Sequence, residues 1–70
     1  MSLRETVGAL IGKTREEEGL TQDQLAAKYG SHGEFFTGVE GGKRNITLDT
    51  LERIAKALGV TVRVIFTRHK

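Results

Sequence analysis

Apolar residues recur every three to four positions through most of the chain and switch to every second position near its end. Between Leu3 and Glu18, the side chains Leu3, Val7, Leu10 and Ile11 fall at i, i+4, i+7 and i+8, one stripe of an amphipathic helix. Ser2 stands where an N-cap belongs, and Glu5 three residues on completes a capping box. Gly19 supplies the stop. Gly8 and Gly12 lie inside this helix, each at a cost of about 1 kcal/mol against alanine. Their spacing either admits another backbone at close range or is simply tolerated; simple tolerance is the expectation.

Three further helices follow from the same periodicity. Gln22 to Tyr29, capped by Thr21, turns Leu25, Ala26 and Tyr29 inward and ends at Gly30. After a turn at Gly30 and Ser31, a helix from about His32 to Glu40 offers Phe36 and Val39 to the core, and Gly41 and Gly42 end it. The last begins near Thr47, buries Leu48, Leu51, Ile54, Ala55 and Leu58, and closes at Gly59.

From Val60 to Thr67 the chain reads VTVRVIFT, with Val60, Val62, Val64 and Phe66 on one side and Thr61, Arg63, Ile65 and Thr67 on the other. β-Branched residues in strict alternation predict a strand at about 60–67. No second strand candidate exists in the sequence, and a lone strand leaves its own N–H and C=O groups unpaired. Antiparallel pairing with the same segment of a second chain would satisfy them. This predicts a homodimer whose shared strand carries Val62, Val64 and Phe66; a fifth short helix or a frayed tail is the alternative.

Seventy residues allow one small domain, taken as 1–70. A domain of this size buries only about 60% of the surface its unfolded chain exposes, so a partner subunit would add stability. Cysteine is absent, and His32 and His69 lie far apart, so neither a disulfide framework nor a metal site is expected, and no cofactor. No apolar run approaches the ~18 residues needed to span a bilayer, and the N-terminus does not resemble a signal peptide. The cytoplasm is the expected compartment, with no membrane partner. An enzyme is not expected, because no nucleophile, base and orienting group fall together and no glycine-rich turn follows a strand. The net charge of +2 is unevenly spread. Residues 1–42 carry four basic against seven acidic side chains (−3), and residues 43–70 carry seven against two (+5). Such asymmetry suits a polyanionic partner.

The most specific stretch is Gly19 to Lys43, GLTQDQLAAKYGSHGEFFTGVEGGK: two short helices, a tight turn between them, and polar caps. This is the pattern of a helix-turn-helix over about 21–40. GLTQDQLAAKYG, FFTGVEGGKRN and TLDTLERIAKALGV together resemble the repressor and Cro type of helix-turn-helix protein. That type is found in phage repressors, restriction-modification controllers and many antitoxins, and the resemblance runs from about Leu10 to Val60. It implies an all-α, repressor-like domain of four to five helices, extended here by the C-terminal strand pairing across a dimer. It also implies a sequence-specific transcriptional regulator that binds double-stranded DNA as a homodimer on a pseudo-palindromic operator.

Roles come with the resemblance. Gln22, at the start of the second helix, would grip a phosphate, and Lys43, Arg44 and Asn45 would contact the DNA backbone. Arg15 and Glu40 match the internal ion pair. Base reading would fall to His32, Gly33, Glu34 and Thr37. Here the chain departs from the pattern, since its recognition helix offers glycines and an acid instead of arginine, glutamine, serine or asparagine. Glu34 can accept from a cytosine amino group and Thr37 can meet a thymine methyl, but neither gives the bidentate contact to guanine. Readout then leans on DNA shape, backbone contacts and Arg44, or the scaffold serves as an antitoxin or other interaction module that binds a toxin or another protein. Phe35 is expected to be exposed, as a DNA contact, a dimer contact or a cover for the helix.

Overall fold

The computed structural model describes residues 2–69; Lys70, counted in the basic half of the chain, lies outside them. Among the described residues the secondary structure is all helical: α1 (Leu3–Glu17), α2 (Gln22–Tyr29), α3 (Gly33–Glu40) and α4 (Leu48–Leu58). None of these helices is long and apolar enough to cross a membrane.

Local chemistry sets each boundary. The hydroxyl of Ser2 accepts from the Glu5 N–H while the Glu5 carboxylate accepts from the Ser2 N–H, a closed capping box at the start of α1. These hydrogen bonds from Ser2 hold the Glu5 carboxyl below its ordinary pKa. Thr21 and Gln24 build the same box on α2. Thr47 caps α4 by accepting from the Thr50 N–H. At the far ends of α2 and α4 the chain turns through the left-handed region at Gly30 (φ +94°) and Gly59 (φ +77°), where a β-carbon would be strained.

Ile11, Leu25, Ala26, Phe36, Val39, Ile54, Ala55 and Leu58 are the buried apolar residues. They come from all four helices, with α3 packed on α1 and α2, and α4 on α2. Three expected core positions are not in it. Leu10 is 56% exposed because it points about 200° round α1 from buried Gly8, at 3.6 residues per turn. Leu3 and Leu48, each 77% exposed, lie on the first turns of α1 and α4. There they border an open apolar depression of about 310 Å³ that also includes Val7, Ile46 and Leu51.

The glycines of α1 are not passive. A β-carbon at Gly8 would run into the Val39 carbonyl oxygen, and one at Gly12 would lie 3.0 Å from Glu40 Oε1. Together they form a trough that receives the C-terminal end of α3, so the expectation of simple tolerance is corrected. Within that trough the predicted ion pair forms. Arg15 Nε donates to Glu40 Oε2 at 2.8 Å and Arg15 Nη2 to Glu40 Oε1 at 3.0 Å, a bidentate contact between side chains only 13% and 12% exposed. Arg15 Nη1 also donates to the Leu20 carbonyl at 2.7 Å, which ties down the chain between α1 and α2. The contact with Glu40 raises the Arg15 pKa further.

No strand forms over 60–67 within the single chain: residues 60–69 carry neither helix nor ladder, and no fifth helix takes their place. The predicted strand has no partner within its own chain, and no ladder forms there.

Two stability measurements test this account. Gly8→Ala gains about 1 kcal/mol of helix propensity but forces α1 off α3, so the urea midpoint should fall by the equivalent of about 1–3 kcal/mol; an unchanged or higher midpoint would refute the trough. Arg15→Ala strands Glu40 in a mostly buried site and should cost about 3 kcal/mol. The double variant Arg15→Met with Glu40→Leu should recover much of that loss, since breaking the pair is worse than replacing it.

Candidate nucleic-acid interface

The unit that would face DNA is α2, the turn Gly30 to His32, and α3. Gly30 and Ser31 both donate to the Ala26 carbonyl, at 2.8 and 2.9 Å, which closes the end of α2 and throws the chain directly into α3. Phe36 and Val39 bury the inner face of α3, leaving Glu34 and Thr37 exposed on its outer side and His32 exposed at its N-cap. His32 caps without a side-chain hydrogen bond, so its ring is not committed to the helix.

Gln22 and Thr37 are joined to the ion pair. Gln22 Nε2 donates to Glu40 Oε1 at 3.1 Å, and the Thr37 hydroxyl donates to Gln22 Oε1 at 2.8 Å. The result is a continuous chain of contacts from the Leu20 carbonyl through Arg15, Glu40 and Gln22 to Thr37. Gln22 keeps one amide hydrogen for an outside acceptor, and its orientation is fixed by two partners. Thr37 has spent its proton inside the protein, which leaves its methyl group and hydroxyl lone pairs for a ligand.

Gly33 has a structural reason to be glycine. A β-carbon there would strike the Asp23 carboxylate, because the first turns of α2 and α3 meet at this point. With Asp23 in this position no side chain fits at residue 33, and any contact from Gly33 to a base would come from its backbone. With Glu34 beside it, the N-terminal end of α3 is acidic.

Phe35, expected to be exposed, is half-buried in an aromatic group. Its ring stacks on Tyr29 at 5.5 Å between centroids with planes 14° apart, and meets Phe36 edge-on at 5.1 Å. The helix-breaking composition of GGKRN obscured this, because Arg44, six residues after Gly38, folds back along α3. Arg44 Cγ and Nε lie 3.1 and 3.3 Å from where a Gly38 β-carbon would be, and its guanidinium sits 5.1 Å above the Phe35 ring. On the opposite side, Arg53 of α4 covers Tyr29 at 4.4 Å and donates to the Tyr29 carbonyl at 3.4 Å. Arg44, Phe35, Tyr29 and Arg53 thus make one stacked column. Sequence reasoning missed Tyr29 and Arg53 as parts of this surface; no local spacing signals a stack built from three helices and a loop. Lys43 and Asn45 flank Arg44 and are exposed. The chain reaches this position by turning at Gly42 (φ +72°), whose backbone lies against Glu5 of α1.

Comparison with known proteins agrees with this architecture. Residues 11–65 match the helix-turn-helix family model. The HTH-type transcriptional regulator y4dJ of Sinorhizobium fredii is 39% identical over 61 residues, 87% of this chain and 79% of that protein. Control protein C.SmaI of Serratia marcescens is 37% identical over 69 residues, 99% of this chain and 82% of that one. Among solved structures, the restriction-modification controller protein C.Esp1396I, as a tetramer in complex with its natural 35 base-pair operator, matches with a TM-score of 0.80. It is 37% identical, over 87% of this chain and 82% of its own. Four helices around one core, a three-residue turn between α2 and α3, and these sequence matches place the chain in the helix-turn-helix family, of the repressor and Cro type.

Proposed function

We propose that the chain is a double-stranded DNA-binding transcriptional regulator, acting in the cytoplasm as a homodimer on a pseudo-palindromic operator. The observation that carries this reading is the outward face of α3, tied in place by the Arg15–Glu40–Gln22–Thr37 chain and exposed at Glu34 and Thr37. The names of its relatives, a transcriptional regulator and control proteins, support the same reading. The described span acts as one DNA-binding domain.

In this reading α3 enters a major groove. Gln22, Lys43 and Asn45 meet phosphates at the two ends of the helix, with Arg44 beside them. Glu34 accepts from a cytosine amino group, the Thr37 methyl packs on thymine, and His32 reaches a base edge or phosphate from the N-cap. Asp23 and Glu34 repel the backbone, so the cations of the C-terminal half supply the electrostatic attraction. Two copies related by a two-fold axis place their α3 helices about one helical turn, ~34 Å, apart.

The C-terminal segment is the proposed dimer element. Val64, Ile65 and Phe66 are strongly exposed in the single chain, Phe66 at 93%. Pairing of 60–67 with its symmetry mate would give its backbone groups partners and bring Val62, Val64 and Phe66 together on one side. The same exposed segment favours one alternative, capture of a toxin or other protein by this strand.

Two experiments decide between these readings. Fluorescence anisotropy on a randomised duplex pool should show binding that weakens steeply with salt, and Lys43→Ala should reduce the log–log slope by about 2 per dimer, one unit for each protomer. Duplex binding absent at low ionic strength would overturn the proposal. By analytical ultracentrifugation the protein should sediment as a dimer and Val64→Lys as a monomer. A wild-type monomer that becomes a stable complex only with a second protein would instead support the alternative.

A further inference from the structure

The outward surface of α3 has no basic side chain of its own, yet a guanidinium lies on it. Arg44 comes from the following loop and runs back over Gly38 to end above Phe35. Gly38 leaves this path clear, and a larger residue there would require the Arg44 side chain to shift. A methyl group there would sit 3.1 Å from Arg44 Cγ, 3.3 Å from Nε and 3.4 Å from Cδ, tight against three successive atoms of the side chain.

How Arg44 is held matters as much as where. Among the described residues its guanidinium makes no ion pair and no hydrogen bond. Arg15, by contrast, has three of its nitrogens engaged by acceptors. The Arg44 guanidinium carbon lies 5.1 Å over the centroid of the Phe35 ring, and that ring is backed by Tyr29 and Arg53. Stacking restricts the side chain without using its N–H donors. A planar fork with free donors, held on a recognition helix, is the group that makes the paired contact to guanine O6 and N7.

Resting on the proposed DNA-binding function, we propose that Gly38 and Phe35 are positioning residues that pre-set Arg44 as a base-reading fork for guanine. The recognition helix borrows this fork from the loop behind it. Lys43, which has no ring beneath it, keeps the backbone role. The glycine at position 38 is then a functional notch in α3 and not a weak point, and the aromatic column is the support that limits rotation of the fork.

The test begins with duplexes selected from a random pool by the wild-type protein. Affinity for the best site and for a scrambled duplex is measured at fixed salt for wild type, Gly38→Ala and Arg44→Lys, alongside urea denaturation. Gly38→Ala keeps every charge and favours the helix, and Arg44→Lys keeps the charge but loses the fork. Both should lower the specific-to-scrambled ratio about tenfold or more, while Arg44→Lys leaves the salt slope unchanged and Gly38→Ala is no less stable than wild type. Replacing the critical guanine by 7-deazaguanine should weaken wild-type binding by a similar factor and have little further effect on either variant.

Wild-type discrimination retained by both variants, together with normal salt-dependent binding, would overturn the positioning role and leave the proposed function standing. If Gly38→Ala proves unstable, Arg44→Lys and the 7-deazaguanine measurement decide alone. Failure of the wild-type protein to bind any duplex removes the proposed function, and this assignment with it.

Discussion

The Glu40 carboxylate accepts hydrogen bonds from two helices at once, from Arg15 of α1 on both oxygens and from Gln22 of α2 on one. Because Glu40 closes α3, this single group fixes the end of the recognition helix against both of its neighbours. The contact is possible only because α1 presents Gly8 and Gly12 to α3. Larger residues there would hold the backbones apart and pull the carboxylate away from the guanidinium. A mostly buried ion pair contributes little net stability compared with apolar residues of the same shape. What it adds is direction, since a bidentate contact is satisfied in one geometry and lost in others.

From that anchor the proposed DNA-facing surface is assembled in two layers. Gln22 and Thr37 are oriented by hydrogen bonds that trace back to Glu40, so the start of α2 and the middle of α3 are fixed relative to each other. Further out, Tyr29 and Phe35 stack between two arginines and cover the outer flank of the core. A helix of eight residues with glycine at its first and sixth positions is intrinsically weak. Its stability comes from the buried Phe36 and Val39, from Phe35, and from the clamp at its C-terminal end.

The distribution of charge follows the same division. Each helix carries one acidic residue in its first turn, Glu5, Asp23, Glu34 and Asp49, where the helix dipole favours it, whereas Glu16, Glu17 and Glu18 crowd the C-terminal end of α1, where it does not. Seven of the eleven Lys and Arg residues follow α3, Lys43 and Arg44 among them in the loop that returns across it. On the proposed function Lys43 and Asn45 of the basic loop supply affinity through phosphate contacts, while selection is shared between the N-terminal end of α3 and Arg44.

Four helices, their caps and their stops were legible in the sequence, because periodicity, Ser2, Thr21, Thr47 and the terminating glycines act within a few residues of one another. The ion pair between Arg15 and Glu40 was legible only through family resemblance, since nothing local links residues twenty-five positions apart. Tertiary structure alone decided the meaning of the glycines at positions 8, 12, 33 and 38. Each is occupied by something from another element: a carbonyl, a glutamate, an aspartate and an arginine. It also decided that Phe35 is a platform, and that Leu3, Leu10 and Leu48 stay exposed. The physical reason is common to all of these: periodicity reports which way a side chain points along its own helix, whereas close approach depends on what a different part of the chain brings to the same place.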